Sequence, residues 1–260
     1  MTASERAIRV LILGGTAEAR ELASVLADRP EFNVTLSLAG RTASPLPHAV
    51  PVRSGGFGGA DGLAATLRAE RIAVLVDATH PYAAIMSANA VLAAASAGVD
   101  LLALRRAAWT RRSGDNWIEV GTAAEAAGAI GDEPRRVFLA LGRKELAPFA
   151  AAPQHIYLVR SVDPVEKPLD LPNAAYISAR GPFREADDRA LLEENGIEIL
   201  VSKNSGGDAS YSKIAAARAL GIPVVMLKRP CLPDVASVES VGEIVAWLDH
   251  AITSATARGV

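Results

Sequence analysis

The side chains best suited to chemistry lie where apolar runs stop. Asp77-Ala-Thr-His-Pro-Tyr-Ala83 follows the apolar run Ile72–Val76 and brings Asp77, Thr79, His80 and Tyr82 close together. Histidine has the side chain whose ordinary pKa best suits proton transfer near neutrality, so His80, with Tyr82 beside it, is the candidate acid. Turn and capping chemistry is the plain alternative for Asp77 and Thr79, and a satisfied polar rim is the alternative for His80 and Tyr82. Later runs end on basic residues: Arg143, Arg160, Arg180, Lys203 and Lys228-Arg229. Each alone is more often a solvated charge than a ligand. If those runs are strands of one parallel sheet, their ends share its ligand edge and suit an anion with several negative groups.

The first apolar run breaks into Gly14-Gly15-Thr16-Ala17-Glu18-Ala19. This resembles the dinucleotide fingerprint, with Thr16 where the second glycine usually stands. Glycines allow a tight turn and close approach to phosphate, and a helix start supplies free N–H groups and positive dipole. Thr16 either contributes its hydroxyl or caps the helix, whereas a Glu18 carboxylate in the first turn would repel phosphate unless turned away. Gly14, Gly15, Thr16 and Ala17 are therefore candidate cofactor contacts, with Asp77 and Thr79 on the neighbouring rim. The second strand ends at Ser37-Leu-Ala-Gly-Arg-Thr42 with no acid to hold a ribose diol. Arg41 stands where it would meet a 2′-phosphate, which favours NADPH over NADH. Ser54-Gly-Gly-Phe-Gly-Gly59 has backbone freedom to close over a flat ligand, with Phe57 as an apolar face. Ser202-Lys-Asn-Ser-Gly-Gly-Asp208 can hold a phosphate or a carboxylate through backbone N–H groups backed by Lys203, so Ser205 and Gly206 join the candidates.

Positioning these groups requires a large framework. The chain has 260 residues, half of them hydrophobic, and a formal net charge of -2. It can bury one large core or two modest ones, and it has no global basic field for nucleic acid or membrane headgroups. One cysteine, Cys231, excludes an intramolecular disulfide and reads as a small packing residue. The histidines at 48, 80, 155 and 250 lack metal-ligand spacing, so no metal site is expected. No apolar run reaches the roughly 18 residues of a membrane span, and the polar amino terminus has no signal-peptide pattern. A cytoplasmic protein is expected, with its oligomeric state open and a monomer sufficient.

Short β-branched or leucine-rich runs alternate with alanine-rich stretches, the pattern of βα units and parallel sheets. Strands are expected at 8–13, 33–38, 50–53, 72–76, 100–104, 137–141, 156–160, 175–179, 197–201 and 223–227. Helices are expected near 17–28, 60–70, 82–97, 122–130, 144–151, 184–194, 209–219 and 240–251. Arg105 to Asn116, with four arginines and Trp109, interrupts the alternation and marks a domain crossing. The expected fold is α/β: two doubly wound parallel-sheet domains, a Rossmann-like 1–113 and a second 114–260, with a cleft between them.

Leu13-Gly-Gly-Thr-Ala-Glu-Ala-Arg20, Gly55-Gly-Phe-Gly-Gly59, Asp77-Ala-Thr-His-Pro-Tyr-Ala83, Arg180-Gly-Pro-Phe183 and Lys203-Asn-Ser-Gly-Gly207 together resemble the precorrin-6A reductase family of cobalamin biosynthesis. The resemblance spans most of the chain. It implies NADPH-dependent reduction of a ring double bond of precorrin-6A to give precorrin-6B, with cofactor and macrocycle between two α/β domains. The polycarboxylate tetrapyrrole would explain the basic strand ends, with Arg143, Arg160, Arg180, Lys203, Ser205 and Gly206 as substrate contacts. Two alternatives remain. A short-chain-type reductase or epimerase would need Tyr-x-x-x-Lys, and none of the tyrosines at 82, 157, 176 and 211 has that lysine. A non-catalytic NADP-sensing module would need no second anion cleft.

Overall fold

The computed structural model describes residues 7–40, 47–162 and 173–258. The chain forms two compact units, Met1–Arg106 with Cys231–Val260, and Ala107–Pro230. This division differs from the expected one in two respects. The crossing comes at 106/107, and the last thirty residues return to the first unit.

The first unit contains β1 (Ile8–Leu13), α1 (Ala17–Ala27), β2 (Phe32–Leu38), β3 (Val52–Ser54), α2 (Gly59–Ala69), β4 (Val74–Asp77), α3 (Ala84–Ala97) and β5 (Asp100–Leu104). The second contains β6 (Trp117–Val120), α4 (Ala123–Ala129), β7 (Arg136–Ala140), β8 (Ile156–Ser161), β9 (Ala174–Ser178), α5 (Glu185–Glu194), β10 (Ile199–Lys203), α6 (Ser212–Ala219) and β11 (Val224–Leu227). β12 (Ser237–Val238) and α7 (Val241–Arg258) complete the first unit. The stretch expected as a helix at 144–151 forms two 3₁₀ turns, Arg143–Glu145 and Ala147–Ala151, with Pro148 near the start of the second.

Both sheets have six strands, in the orders β12-β5-β4-β1-β2-β3 and β6-β11-β10-β7-β8-β9, and every pairing is parallel. Counted from β1, the first sheet has the 3-2-1-4-5-6 order of dinucleotide-binding sheets. Counted from β7, the second has the same order through its fifth strand. The sixth places are exchanged. β6 follows the first unit's fifth strand yet pairs with β11, while β12 follows the second unit's fifth strand yet pairs with β5. Neither strand was expected from the sequence. Trp117-Ile-Glu-Val120 is short and sits beside the arginine-rich stretch, and β12 is only two residues long.

Burial on both faces explains why the strands read as continuous apolar runs. In β1, Val10 and Ile12 pack with Leu22 and Leu26 of α1 and with Val241, Ile244 and Leu248 of α7. Leu11 and Leu13 pack on the other face with Leu63 and Leu67 of α2 and Ala90 and Ala93 of α3. These contacts put α7 in the first unit. In the second unit, Phe138, Leu158, Leu200, Ile214 and Met226 share one core cluster. Cys231 is exposed, which corrects its reading as a packing residue.

Candidate functional site

In each sheet the strand order reverses between its first and fourth strands, β1/β4 and β7/β10, and ligand crevices of open α/β sheets form outside the carboxyl ends there. In the first unit, Leu13 pairs in register with both Ser37 and Asp77. The Gly14 N–H donates to Ser37 O at 2.9 Å and the Ala78 N–H to Leu13 O at 3.0 Å. A Cβ at Gly14 would lie 2.6 Å from Cδ1 of the buried Leu36, so glycine is needed for packing. Gly15 has φ +111°, and nothing lies within 4 Å of where its Cβ would be. The backbone there is open to close approach by a phosphate.

Thr16 caps α1. Its hydroxyl accepts from the Ala19 N–H at 3.1 Å and donates to Ala78 O at 2.8 Å. One side chain thus caps the helix and ties the loop after β1 to the loop after β4. Ala17 opens the helix. Glu18, the awkward acid of the first turn, accepts from Arg106 Nη1 at 2.7 Å on each carboxylate oxygen. Its charge is turned onto a guanidinium.

The β4 loop is equally organised. Asp77 is buried, and its Oδ1 accepts from the Thr79 N–H at 3.1 Å and the Thr79 hydroxyl at 2.6 Å. Its Oδ2 accepts from Arg105 Nη2 at 2.8 Å. Asp77 and Thr79 therefore hold the turn together. His80 and Tyr82 do come together, with ring centroids 5.6 Å apart. The Tyr82 N–H donates to His80 Nδ1 at 3.3 Å, which leaves the neutral ring's proton on Nε2. Residues 81–83 precede the helix, which starts at Ala84 and not at 82.

The glycine loop after β3 is fastened. Arg53 donates to Gly55 O at 2.9 Å and Gly56 O at 3.0 Å, and its guanidinium lies 3.8 Å from the Phe57 ring centroid. Arg41 lies outside the described residues.

In the second unit, Lys203 ends β10 and its Nζ donates to Glu145 Oε1 at 2.5 Å. Arg143 is exposed in the same 3₁₀ turn as Glu145, so the loops after β7 and β10 meet at the switch point. Ser205 and Gly206 follow Lys203 directly. Arg180 lies after β9, in the segment whose Phe183 N–H donates to Ala209 O at 3.4 Å. Arg160 lies near the end of β8. Its side chain is 8 % exposed and paired with Asp188, with the guanidinium 4.0 Å from the Phe183 ring centroid and 5.0 Å from that of Phe138. Asp188 also accepts from the Ser212 hydroxyl at 2.5 Å. Arg160 joins β8 to α5 and, through Asp188 and Ser212, to α6.

Arg105 and Arg106, which organise the first switch point, were legible only as part of an arginine-rich crossing segment. Nothing in their spacing named Asp77 and Glu18 as partners. Among the described residues, no group of three or more potential metal ligands is found and no helix is long and apolar enough to cross a membrane.

Two doubly wound parallel sheets, a glycine turn at a helix start and a polar strand-end loop beside it define an α/β protein of the Rossmann-like class. Residues 9–249 match the family described as Precorrin-6x reductase CbiJ/CobK, and the chain belongs to that family. It is 55% identical over 242 residues to a precorrin-6A reductase of Sinorhizobium sp, covering 93% of each chain. It is 48% identical over 253 residues to a precorrin-6A reductase of Rhodobacter capsulatus, covering 97% of this chain and 99% of the relative. A solved structure of CobK precorrin-6A reductase, 47% identical, superposes with a TM-score of 0.90 over 94% of this chain and 96% of that one.

Proposed function

We propose that the protein reduces a ring double bond of precorrin-6A with NADPH, giving precorrin-6B. The observation that carries this is membership of the reductase family over residues 9–249, in a chain whose first switch point has the backbone a dinucleotide needs.

The loop fits the cofactor on three counts. Gly15 leaves open space beside the backbone, the Thr16 hydroxyl is engaged with Ala78 and Ala19, and Glu18 is neutralised by Arg106. Gly14, Gly15, Thr16 and Ala17 would hold the pyrophosphate at the start of α1. Arg41 would meet the 2′-phosphate through paired hydrogen bonds. NADPH supplies the hydride, and the protein's work is positioning and proton supply.

The adjacent ring carbon needs a proton. His80, with the Tyr82 ring 5.6 Å away between centroids, would be the donor, giving the proton from its imidazolium form, because a neutral imidazole N–H is too weak an acid. Arg143, Arg180 and Lys203, with the Ser205-Gly206 backbone, would take substrate carboxylates. Arg160 is left out of that set because Asp188 and two aromatic rings already enclose it. Mixing the protein with NADPH and enzymatically prepared precorrin-6A tests the reading. NADPH is expected to be oxidised only with the macrocycle present. No oxidation, or oxidation independent of the macrocycle, would refute it.

A further inference from the structure

The loop after β10 is held by three residues outside the proposed set of substrate contacts: Trp109, Asn204 and Arg229. Asn204 is buried and pairs with Trp109 in both directions. Its Oδ1 accepts from the Trp109 N–H at 2.8 Å and its Nδ2 donates to Trp109 O at 2.9 Å. Trp109 Nε1 donates to Gly207 O at 2.8 Å. Arg229, just past β11, donates from Nε to Asn204 O at 2.9 Å and from Nη2 to Ser205 O at 3.0 Å and Ala107 O at 3.1 Å. Gly206 sits in the middle. A Cβ there would lie 2.2 Å from both Ala107 O and Arg229 Nη2, and its φ is +69°.

Three of the loop's carbonyls, those of Asn204, Ser205 and Gly207, thus point at Arg229 or Trp109. In a trans peptide the C=O and the following N–H point in opposite directions. The only cis bond among the described residues is Gly181-Pro182. The Gly206 and Asp208 N–H groups are therefore turned away from the clamp. No hydrogen bond from either is found among the described residues. Lys203 stands at the loop's start.

We propose that Arg229, Asn204 and Trp109 are positioning residues that draw this loop's carbonyls inward and so present the Gly206 and Asp208 N–H groups to one carboxylate of the substrate. Arg229 was read from the sequence as one of the basic strand ends meeting the anion. Its role is instead to shape the backbone that meets it. The proposal rests on the reading that the loop after β10 binds a substrate carboxylate.

The test uses the full chain with Arg229→Met, Arg229→Lys and the milder Trp109→Phe, which keeps an aromatic ring but loses the N–H donor. Equilibrium binding of precorrin-6A without cofactor is followed by its absorbance change, binding of NADPH by fluorescence, and folding by circular dichroism. Arg229→Met is expected to weaken precorrin-6A binding about tenfold, and Trp109→Phe by about three- to tenfold. NADPH binding should stay within about twofold in both. Arg229→Lys should not rescue, because a lysine lacks the planar fork that serves three carbonyls. If folded Arg229→Met or Trp109→Phe binds the macrocycle like the parent while Lys203→Met weakens it, the clamp is refuted and the carboxylate reading stands. If Lys203→Met also leaves binding unchanged, the reading falls and the clamp with it.

Discussion

Arg106 grips both carboxylate oxygens of Glu18, each at 2.7 Å, across the start of the helix that follows the glycine turn. The two side chains are 15 % and 22 % exposed, so the pair is only partly screened. Arg106→Met would leave a bare carboxylate in the first turn, where an incoming phosphate would meet it. NADPH affinity is expected to fall about tenfold, and adding Glu18→Gln should recover most of the loss. Fluorescence titration of the parent, both single variants and the double variant measures the coupling. Additive effects would show that Glu18 does not act on the phosphate through Arg106.

The enclosed Arg160–Asp188 pair belongs to stability. Removing one partner leaves an uncompensated buried charge, which typically costs about 3–5 kcal/mol. Asp188→Ala should lower the unfolding free energy, measured by denaturant titration, by that amount. Arg160→Met removes the charge but strands Asp188, so it should be similarly unstable. Were Arg160→Met to unfold like the parent and lose only macrocycle binding, Arg160 would be a substrate contact after all.

The proton donor can be isolated from the cofactor site. His80→Ala is expected to lower kcat by about a hundredfold, the usual contribution of a positioned general acid, with NADPH affinity retained. Stopped-flow turnover with precorrin-6A reads this directly. Activity within a few-fold of the parent would leave Tyr82 or water as the source of the proton.

Arg41 is expected to set the cofactor preference. Arg41→Ala should reduce discrimination between NADPH and NADH by about ten- to a hundredfold, mostly through weaker NADPH binding. Undiminished preference in kcat/KM would assign the 2′-phosphate to another residue.

Burial lowers the pKa of His155 from its ordinary value of 6.5; the neighbouring Arg135 charge also lowers it, against opposing effects from the Gly131 backbone and Asp132. A depressed folded-state pKa means the unfolded chain binds the proton more readily. The contribution of this site is therefore fully present above about pH 6.5 and is lost as pH falls through the lowered value. His155 Nδ1 accepts from the Arg135 N–H, an interaction a glutamine can imitate without titrating. Urea midpoints measured from pH 7 to pH 5 should fall less steeply for His155→Gln than for the parent. His48 is shifted in the same direction by burial and stays in both proteins, so the difference isolates His155. Parallel slopes would contradict the assignment.

Much of this molecule was legible in one dimension because parallel strands buried on both faces must be continuously apolar. Ile8–Leu13 and Asp100–Leu104 emerged with the expected limits, as did the glycine turn that had to follow β1. The approach of the loop after β1 to the loop after β4, tied by the Thr16 hydroxyl on Ala78 O, followed from strand ends alone, since the first and fourth strands of such a sheet are neighbours. What the chain order concealed was decided by long-range pairing. Four residues at 117–120 and two at 237–238 complete sheets whose other strands lie elsewhere in the sequence, so no local signal assigns them. The fate of each arginine was likewise hidden. Arg106, Arg160 and Arg229 are alike in sequence, yet one neutralises a helix-start acid, one is enclosed with Asp188 and one holds three carbonyls. A guanidinium's role is set by which acceptors the tertiary fold brings within about 3 Å, and no spacing along the chain encodes that distance.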